Sequence, residues 1–286
     1  MKLLRYGPVG QERPGILDST GRIRSLSPAI ADLTPAVISP EGLKVLRALD
    51  IDRLPIVEGP QRYGIPVAGV RQFFAIGLNY QGHIEEARAA GIAIPDEPLL
   101  FNKALTSLSG ADDDIVLPRG TKAGDWEIEL AIIIGTEASC VPTDKALEFL
   151  AGYSLANDVS ERDWQVKRGG QFVKGKSAPT FGPIGPWLVT TDEITDPQNV
   201  DLQLDVNGVR RQKANTSDMV FDVRYIVSHL SEMMTLLPGD VILTGTPAGV
   251  GGGFKPPIFL KDGDVVELVS AQLGRQRQVV RQLVSS

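Results

Sequence analysis

Only one cysteine, Cys140, and two histidines, His83 and His229, occur in 286 residues. A lone cysteine forms no intrachain disulfide, so the chain suits a reducing cytoplasm, and zinc sites built from several Cys or His ligands are excluded for want of residues. No apolar run approaches the roughly 18 residues of a membrane-spanning helix. The N-terminus, MKLLRYGPVGQERPG, turns polar after four residues and offers no signal-peptide core. Export and membrane anchoring are therefore not expected. An excess of positive charge is missing too. The formal charge of -6 repels phosphate backbones and anionic lipid, so neither nucleic acid nor a membrane surface is an expected partner. Small molecules and further copies of the chain remain, and an anionic substrate would need local Lys or Arg to overcome the global field. With 42% hydrophobic and 22% charged residues, the composition is that of a folded globular chain rather than a disordered one.

The first 35 residues read as short strands joined by turns, at 2–6, around 15–17 and at 23–26. Apolar positions at helical spacing predict a helix over 41–49, and the stretch through Pro55, Pro60 and Pro66 reads as a linker, giving a boundary near residue 70. Beyond it, strands are expected at 72–77, 114–117, 126–135, 184–190, 201–207, 240–244 and 264–269, with helices at 80–90, 143–151 and 221–236. The last of these places Phe221, Tyr225, Ile226, Leu230 and Met233 on one face. The mixture fits an α+β class built around folded sheet, with a small N-terminal domain over 1–70 and the remainder, 71–286, as a second. The run Gly249 to Gly253 reads as a flexible lip.

In DWEIELAIIIG, strand alternation puts Glu127 and Glu129 on one face of a segment that becomes almost wholly apolar. Two buried like charges are costly unless a cation or a proton compensates them, which points to a hard divalent ion. The alternative is an edge with both carboxylates in solvent and Trp126 and Ile128 inward; spacing does not separate the two. Asp158, where the apolar segment YSLAN ends, could supply a third oxygen, and Glu, Glu and Asp together suit Mg²⁺ or Mn²⁺. His83 and Glu86, three residues apart in NYQGHIEEA, share a helical face, either as an oriented general base or as a surface ion pair. His229 reads as a packing or surface residue. The segment GQFVKGKS matches a phosphate-loop pattern, but the prolines in SAPTFGPIGP preclude the helix that such a loop needs. Lys176 is left as either a point charge for an anion or part of a solvated basic loop. LTGTPAGVG combines hydroxyls with small residues that let backbone approach a ligand, a weak signal alone.

Taken in order, NYQGHIEEA, LLFNKALTSLSG, DWEIELAIIIG, AGYSLANDVSERDWQ, KGKSAPTFGPIGP, VNGVRRQ, LLPGDVILTGTPAGVG and LKDGDVVEL resemble the fumarylacetoacetate hydrolase family over roughly residues 70 to 286. The resemblance implies a mixed β-sheet roll with flanking helices, usually a homodimer, in which the helix carrying His83 acts as a lid. It makes Glu127, Glu129 and Asp158 the ligands of Mg²⁺ or Mn²⁺, His83 and Glu86 the pair that activates water, and Lys176 a lysine near the substrate's oxygens. Gln165 and Thr246 match positions that contact the substrate carboxylate, and Lys103 is a weaker match of that kind. Many members carry an acidic residue after GKS; GKSAPTF does not.

The first 70 residues resemble the N-terminal part of a bacterial subgroup whose members are labelled ureidoglycolate lyase or 2,4-diketo-3-deoxy-sugar-acid hydrolase, the latter acting in L-rhamnose and L-fucose breakdown. The implied reaction is hydrolysis of a 2,4-diketo acid to pyruvate and a carboxylic acid such as L-lactate. Oxaloacetate decarboxylation, hydroxymuconate-type isomerisation, and an inactive metal-binding protein are the alternatives.

Overall fold

The computed structural model describes residues 1–283 except 90, 92 and 95. Its spine is the strand Ile128–Ile134, buried at every position. A continuous apolar run suits a strand covered on both faces, and here Ile128, Leu130, Ile132 and Ile134 enter one core while Ala131 and Ile133 enter another. Leu150–Asn157 pairs with it antiparallel, Asn157 opposite Ile128. Val241–Leu243 flanks its other side, Leu243 opposite Ala131, and Phe73–Gly77 runs parallel to Val241–Leu243. These strands belong to a ten-stranded sheet that the N-terminal strands extend, Leu3 of Lys2–Tyr6 facing Leu188 of Gly182–Thr190. The architecture is mixed α+β, as the sequence indicated.

A second sheet of five strands, including Asp201–Val206, Val265–Ser270 and Gly274–Gln282, contributes Leu202, Leu204, Leu268 and Val280 to the first core. Helix α1 (Pro40–Arg47) buries Leu43 and Leu46 against the other core. Helix α2 (Gln81–Ala89) follows the strand Phe73–Gly77, and α3 (Arg162–Lys167) and the single turn α4 (Val173–Lys176) lie near the end of Leu150–Asn157. Helix α5 (Val223–Met233) starts at Asp222, whose carboxylate accepts from the Tyr225 amide, and buries Val223, Ile226, Val227 and Leu230.

Several expectations need correction. The helix expected over 143–151 is a 3₁₀ segment, Thr143–Phe149, that gives way to strand at Leu150. Residue 90 of the helix expected over 80–90 lies outside the described residues. The strands Leu99–Asn102, Val209–Asn215 and Gly274–Gln282 were not anticipated. In the last two the inward positions include Gln212, Gln276 and Gln278, so alternation of apolar residues is weak. Those amides bond backbone instead, Gln276 to the carbonyls of Leu155 and Gly185.

Candidate active site

Four strand ends meet at one place: the start of Ile128–Ile134 and the ends of Leu150–Asn157, Val241–Leu243 and Phe73–Gly77. Glu127 and Asp158 are tied together there, the Asp158 amide donating to the Glu127 carbonyl at 2.8 Å. Carboxylate oxygens of Glu127, Glu129 and Asp158 all lie within 4.8 Å of one another, and all three residues are buried. The solvent-facing edge reading of Glu127 and Glu129 is thereby overturned.

Cations compensate two of the three. Lys176 Nζ donates to Glu127 Oε2 and Asp158 Oδ2, both at 2.6 Å, and Lys103 Nζ donates to Asp158 Oδ1 at 2.5 Å. Lys176 is thus a buried bridging ammonium, not part of a solvated loop. Strand Gly182–Thr190 follows the GKS segment where a phosphate loop would need a helix. Lys103, expected at the substrate carboxylate, is not among the residues lining the cavity, and its ion pair holds Asp158. Arg162, which sequence reasoning missed, donates through Nη1 to Glu127 Oε1 at 2.7 Å and through Nε to Asp125 Oδ2 at 2.7 Å. Its only signal in the sequence was a charged pair in SERDWQ opening a short helix.

Glu129 has no cationic partner among the described residues and accepts only the Gly245 amide, at 2.6 Å. Burial and the charges of Asp158 and Glu127 push its carboxyl well above the usual range. Burial acts on Glu127 in the same sense, but Lys176 and Arg162 more than offset it and bring it down to about 2. A group of hard oxygen donors with one carboxylate left uncompensated fits a divalent cation such as Mg²⁺ or Mn²⁺. Gly245 is needed for this geometry: its φ is +99°, and a Cβ there would meet Asn79 Cβ at 2.7 Å. Asn79 clamps the same corner, bonding the carbonyls of Thr244 and Phe221 and the Phe221 amide. The residue before it, Leu78, is held at φ +54°, a left-handed conformation that costs a bulky residue about 1–3 kcal/mol.

His83 Nδ1 lies 3.1 Å from Glu86 Oε2 on α2. A carboxylate has no proton to donate, so Glu86 fixes the proton on Nδ1 and leaves Nε2 as the basic nitrogen. Glu86 Oε1 accepts the Gly249 amide at 3.0 Å, while Asp125 accepts the amides of Gly251 and Gly252 at 2.6 and 2.9 Å. The glycine run is therefore pinned from two sides and is not a free lip. His229, half-buried on α5, stacks on Tyr225 with ring centroids 5.6 Å apart and does not line this cavity.

A cavity of about 300 Å³ joins these groups, lined by His83, Glu86, Glu127, Glu129, Arg162, Gln165, Lys176 and Thr246 at one end. Gln165 accepts from Arg162 at 3.0 Å, which leaves its amide NH₂ to donate. Thr246 Oγ1 spends its proton on the Ile128 carbonyl, 3.0 Å away, and accepts from Gln212.

Residues 72–281 match the model of the fumarylacetoacetate hydrolase C-terminal family. A Burkholderia multivorans relative, named only provisionally as a hydrolase, is 53% identical over 282 residues, covering 98% of this chain and 99% of its own. Among solved structures, a fumarylacetoacetate hydrolase from psychrophilic Exiguobacterium antarcticum is 38% identical with a TM-score of 0.84, covering 99% of this chain and 100% of its own. A maleylpyruvate hydrolase from Sphingobium sp. SYK-6, solved with manganese(II) and pyruvate, is 30% identical with a TM-score of 0.81, covering 99% of each. The chain belongs to the fumarylacetoacetate hydrolase family.

Proposed function

We propose that the protein is a divalent-metal-dependent hydrolase that cleaves the C3–C4 bond of a 2,4-diketo acid, releasing pyruvate and a carboxylic acid. The observation that carries this reading is the opening of an oriented imidazole, His83 on Glu86, into the same cavity as the carboxylates of Glu127 and Glu129. Glu127, Glu129 and Asp158 would hold Mg²⁺ or Mn²⁺, which when bound supplies positive charge beside the keto acid end of the substrate. Lys176 uses two of its three N–H groups on carboxylates and has one for a substrate oxygen. Among the described residues Arg162 Nη2 is buried without a partner, and with the Gln165 amide it offers donors to the substrate carboxylate or to an oxygen that gains charge.

His83 Nε2 takes a proton from water as the water oxygen attacks the C4 carbonyl carbon. The C3–C4 bond then breaks with its electron pair moving to the pyruvate enolate, the acyl carbon leaves as a carboxylic acid, and protonation at C3 completes pyruvate. All acylpyruvates share this reacting end. The sugar acid suggested by the N-terminal segment, 2,4-diketo-3-deoxy-L-rhamnonate, which is the same compound as 2,4-diketo-3-deoxy-L-fuconate once C4 is a ketone, falls within that class as a lactoylpyruvate and would yield L-lactate. We take the working form to be a cytoplasmic homodimer acting on small anionic keto acids.

The test is product analysis on acetylpyruvate and the sugar acid with Mg²⁺, Mn²⁺ or EDTA. Equimolar pyruvate and carboxylic acid, abolished by EDTA, is expected. No pyruvate from any substrate, with oxaloacetate decarboxylated or a hydroxymuconate isomerised instead, would replace hydrolysis with enolate chemistry alone.

A further inference from the structure

The reacting end of the cavity accounts for every charged side chain that lines it: His83, Glu86, Glu127, Glu129, Arg162 and Lys176. The other lining side chains include Leu78, Ala87, Phe101, Val166, Phe172 and Phe259, and among the described residues no further charged side chain lines the cavity; Phe101 meets the reacting groups, with Lys176 Nζ 5.4 Å from its ring centre. Phe101 and Phe172 pack edge to face, centroids 5.4 Å apart, so strand Leu99–Asn102 and the start of α4 make a continuous hydrocarbon surface. Two further features show that the apolar wall is held against a local cost. Leu78 keeps a left-handed backbone in which Asn or Gly would be at ease, and still presents a leucine to the cavity. Val166 is 63% exposed at the mouth, one turn along α3 from Arg162, where solvent alone would favour a polar residue.

From this we propose, resting on the hydrolase reading above, that the enzyme selects acylpyruvates whose acyl group is a hydrocarbon, with Leu78 and Val166 as specificity-determining residues. Hydroxylated acyl groups, that of the sugar acid named above (a lactoylpyruvate) included, and acyl groups bearing a second carboxylate are poorer substrates than their hydrocarbon counterparts. A hydroxyl carried to this wall leaves water and finds no partner. A second carboxylate finds no uncommitted cation, because among the described residues the lining cations, Arg162 and Lys176, are held by Asp125, Glu127 and Asp158 and their remaining N–H groups serve the keto acid end of the substrate. The maleyl group handled by the Sphingobium relative is therefore not a good occupant of this cavity. Each added methylene that reaches the wall strengthens transition-state binding about fourfold.

The experiment compares kcat/KM for pyruvate release from acetyl-, butanoyl-, hexanoyl-, isobutyryl- and lactoylpyruvate and from maleylpyruvate, in the wild type and in Leu78→Asn and Val166→Ser. Isobutyryl- and lactoylpyruvate differ by methyl against hydroxyl at equal size, so their ratio reads the wall directly. The expected result is a rise from acetyl to hexanoyl and an isobutyryl-to-lactoyl ratio of about tenfold or more, with maleylpyruvate below acetylpyruvate. In the two variants that ratio should fall at least about fivefold. Asn suits the backbone at position 78, so the melting temperature of Leu78→Asn should hold or rise, which separates lost specificity from lost fold. Pyruvate from every substrate with a flat ranking, a preference for lactoyl- or maleylpyruvate, or variants that keep the wild-type ratio overturns the specificity proposal and leaves the hydrolase reading standing. No pyruvate from any substrate removes the hydrolase reading and this inference with it.

Discussion

Among the described residues Glu129 is the one carboxylate of the buried triad with no side-chain cation beside it, and so its ionised form is disfavoured by burial and by its neighbours' charges until a metal arrives. Replacing it with Gln removes that repulsion and one ligand together. Glu129→Gln should melt no lower than the wild type in EDTA, yet lose the stabilisation that Mn²⁺ gives, which for saturating metal at about 100 times Kd is near 3 kcal/mol. A Mn²⁺-induced shift in melting temperature equal to that of the wild type would remove Glu129 from the ligand set. A second residue-scale test lies far from the site. Asp18 accepts from the Thr20 hydroxyl at 2.6 Å, from Arg24 Nε at 2.8 Å and from the Thr20 and Arg22 amides. These bonds, Thr20's first, hold its carboxyl well below the usual carboxylate range. A group with a lowered folded-state pKa contributes fully above its unfolded value, near 3.9, and loses that contribution as pH falls through the folded value. Asp18→Asn should therefore melt below the wild type at pH 7, with the gap closing as the pH drops from about 4 toward 2. A gap that does not change with pH contradicts this.

At the scale of elements, α2 does two jobs through one side chain: Glu86 orients His83 and accepts the Gly249 amide. Glu86→Gln keeps an acceptor for Gly249 but loses the charge that supports the imidazole. It should lower kcat by about 100-fold with little change in melting temperature; unchanged turnover would show that His83 needs no partner. Helix α5 depends on its Asp222 cap, and Asp222→Ala should cost about 1 kcal/mol in urea unfolding, whereas an unchanged midpoint would mean that packing alone sets its start. The elements differ in how far the sequence exposes them. IELAIII and the amphipathic α5 were legible because their apolar spacing is also their burial. GRQRQVVRQ was not, because the pattern that places it in the sheet is carried by Gln276 and Gln278, whose amides bond carbonyls of distant strands. The site divides in the same way. Two carboxylates at alternate positions on a strand can be seen in a sequence, but that Lys103 serves Asp158, 55 residues away, and Arg162 serves Asp125 and Glu127, cannot, since folding alone selects those partners.

For the molecule as a whole, the ten-stranded sheet brings Glu127 and Glu129, with Asp158 against them, and the helix bearing His83 together at one cavity, which Glu127, Glu129 and His83 line. The net charge of -6 would repel an anionic substrate, and within the carboxylate cluster Lys103, Lys176 and Arg162 offset most of the local negative charge. Among the described residues no helix is long and apolar enough to cross a membrane. The central claim is that one cavity holds two separable devices, a metal cradle and a water base. It is tested most directly by the kcat of acetylpyruvate hydrolysis in His83→Ala, measured alongside Mn²⁺ content. If His83 is the base, kcat falls by about 100-fold or more while Mn²⁺ binds as in the wild type; wild-type turnover in that variant would contradict the mechanism outright.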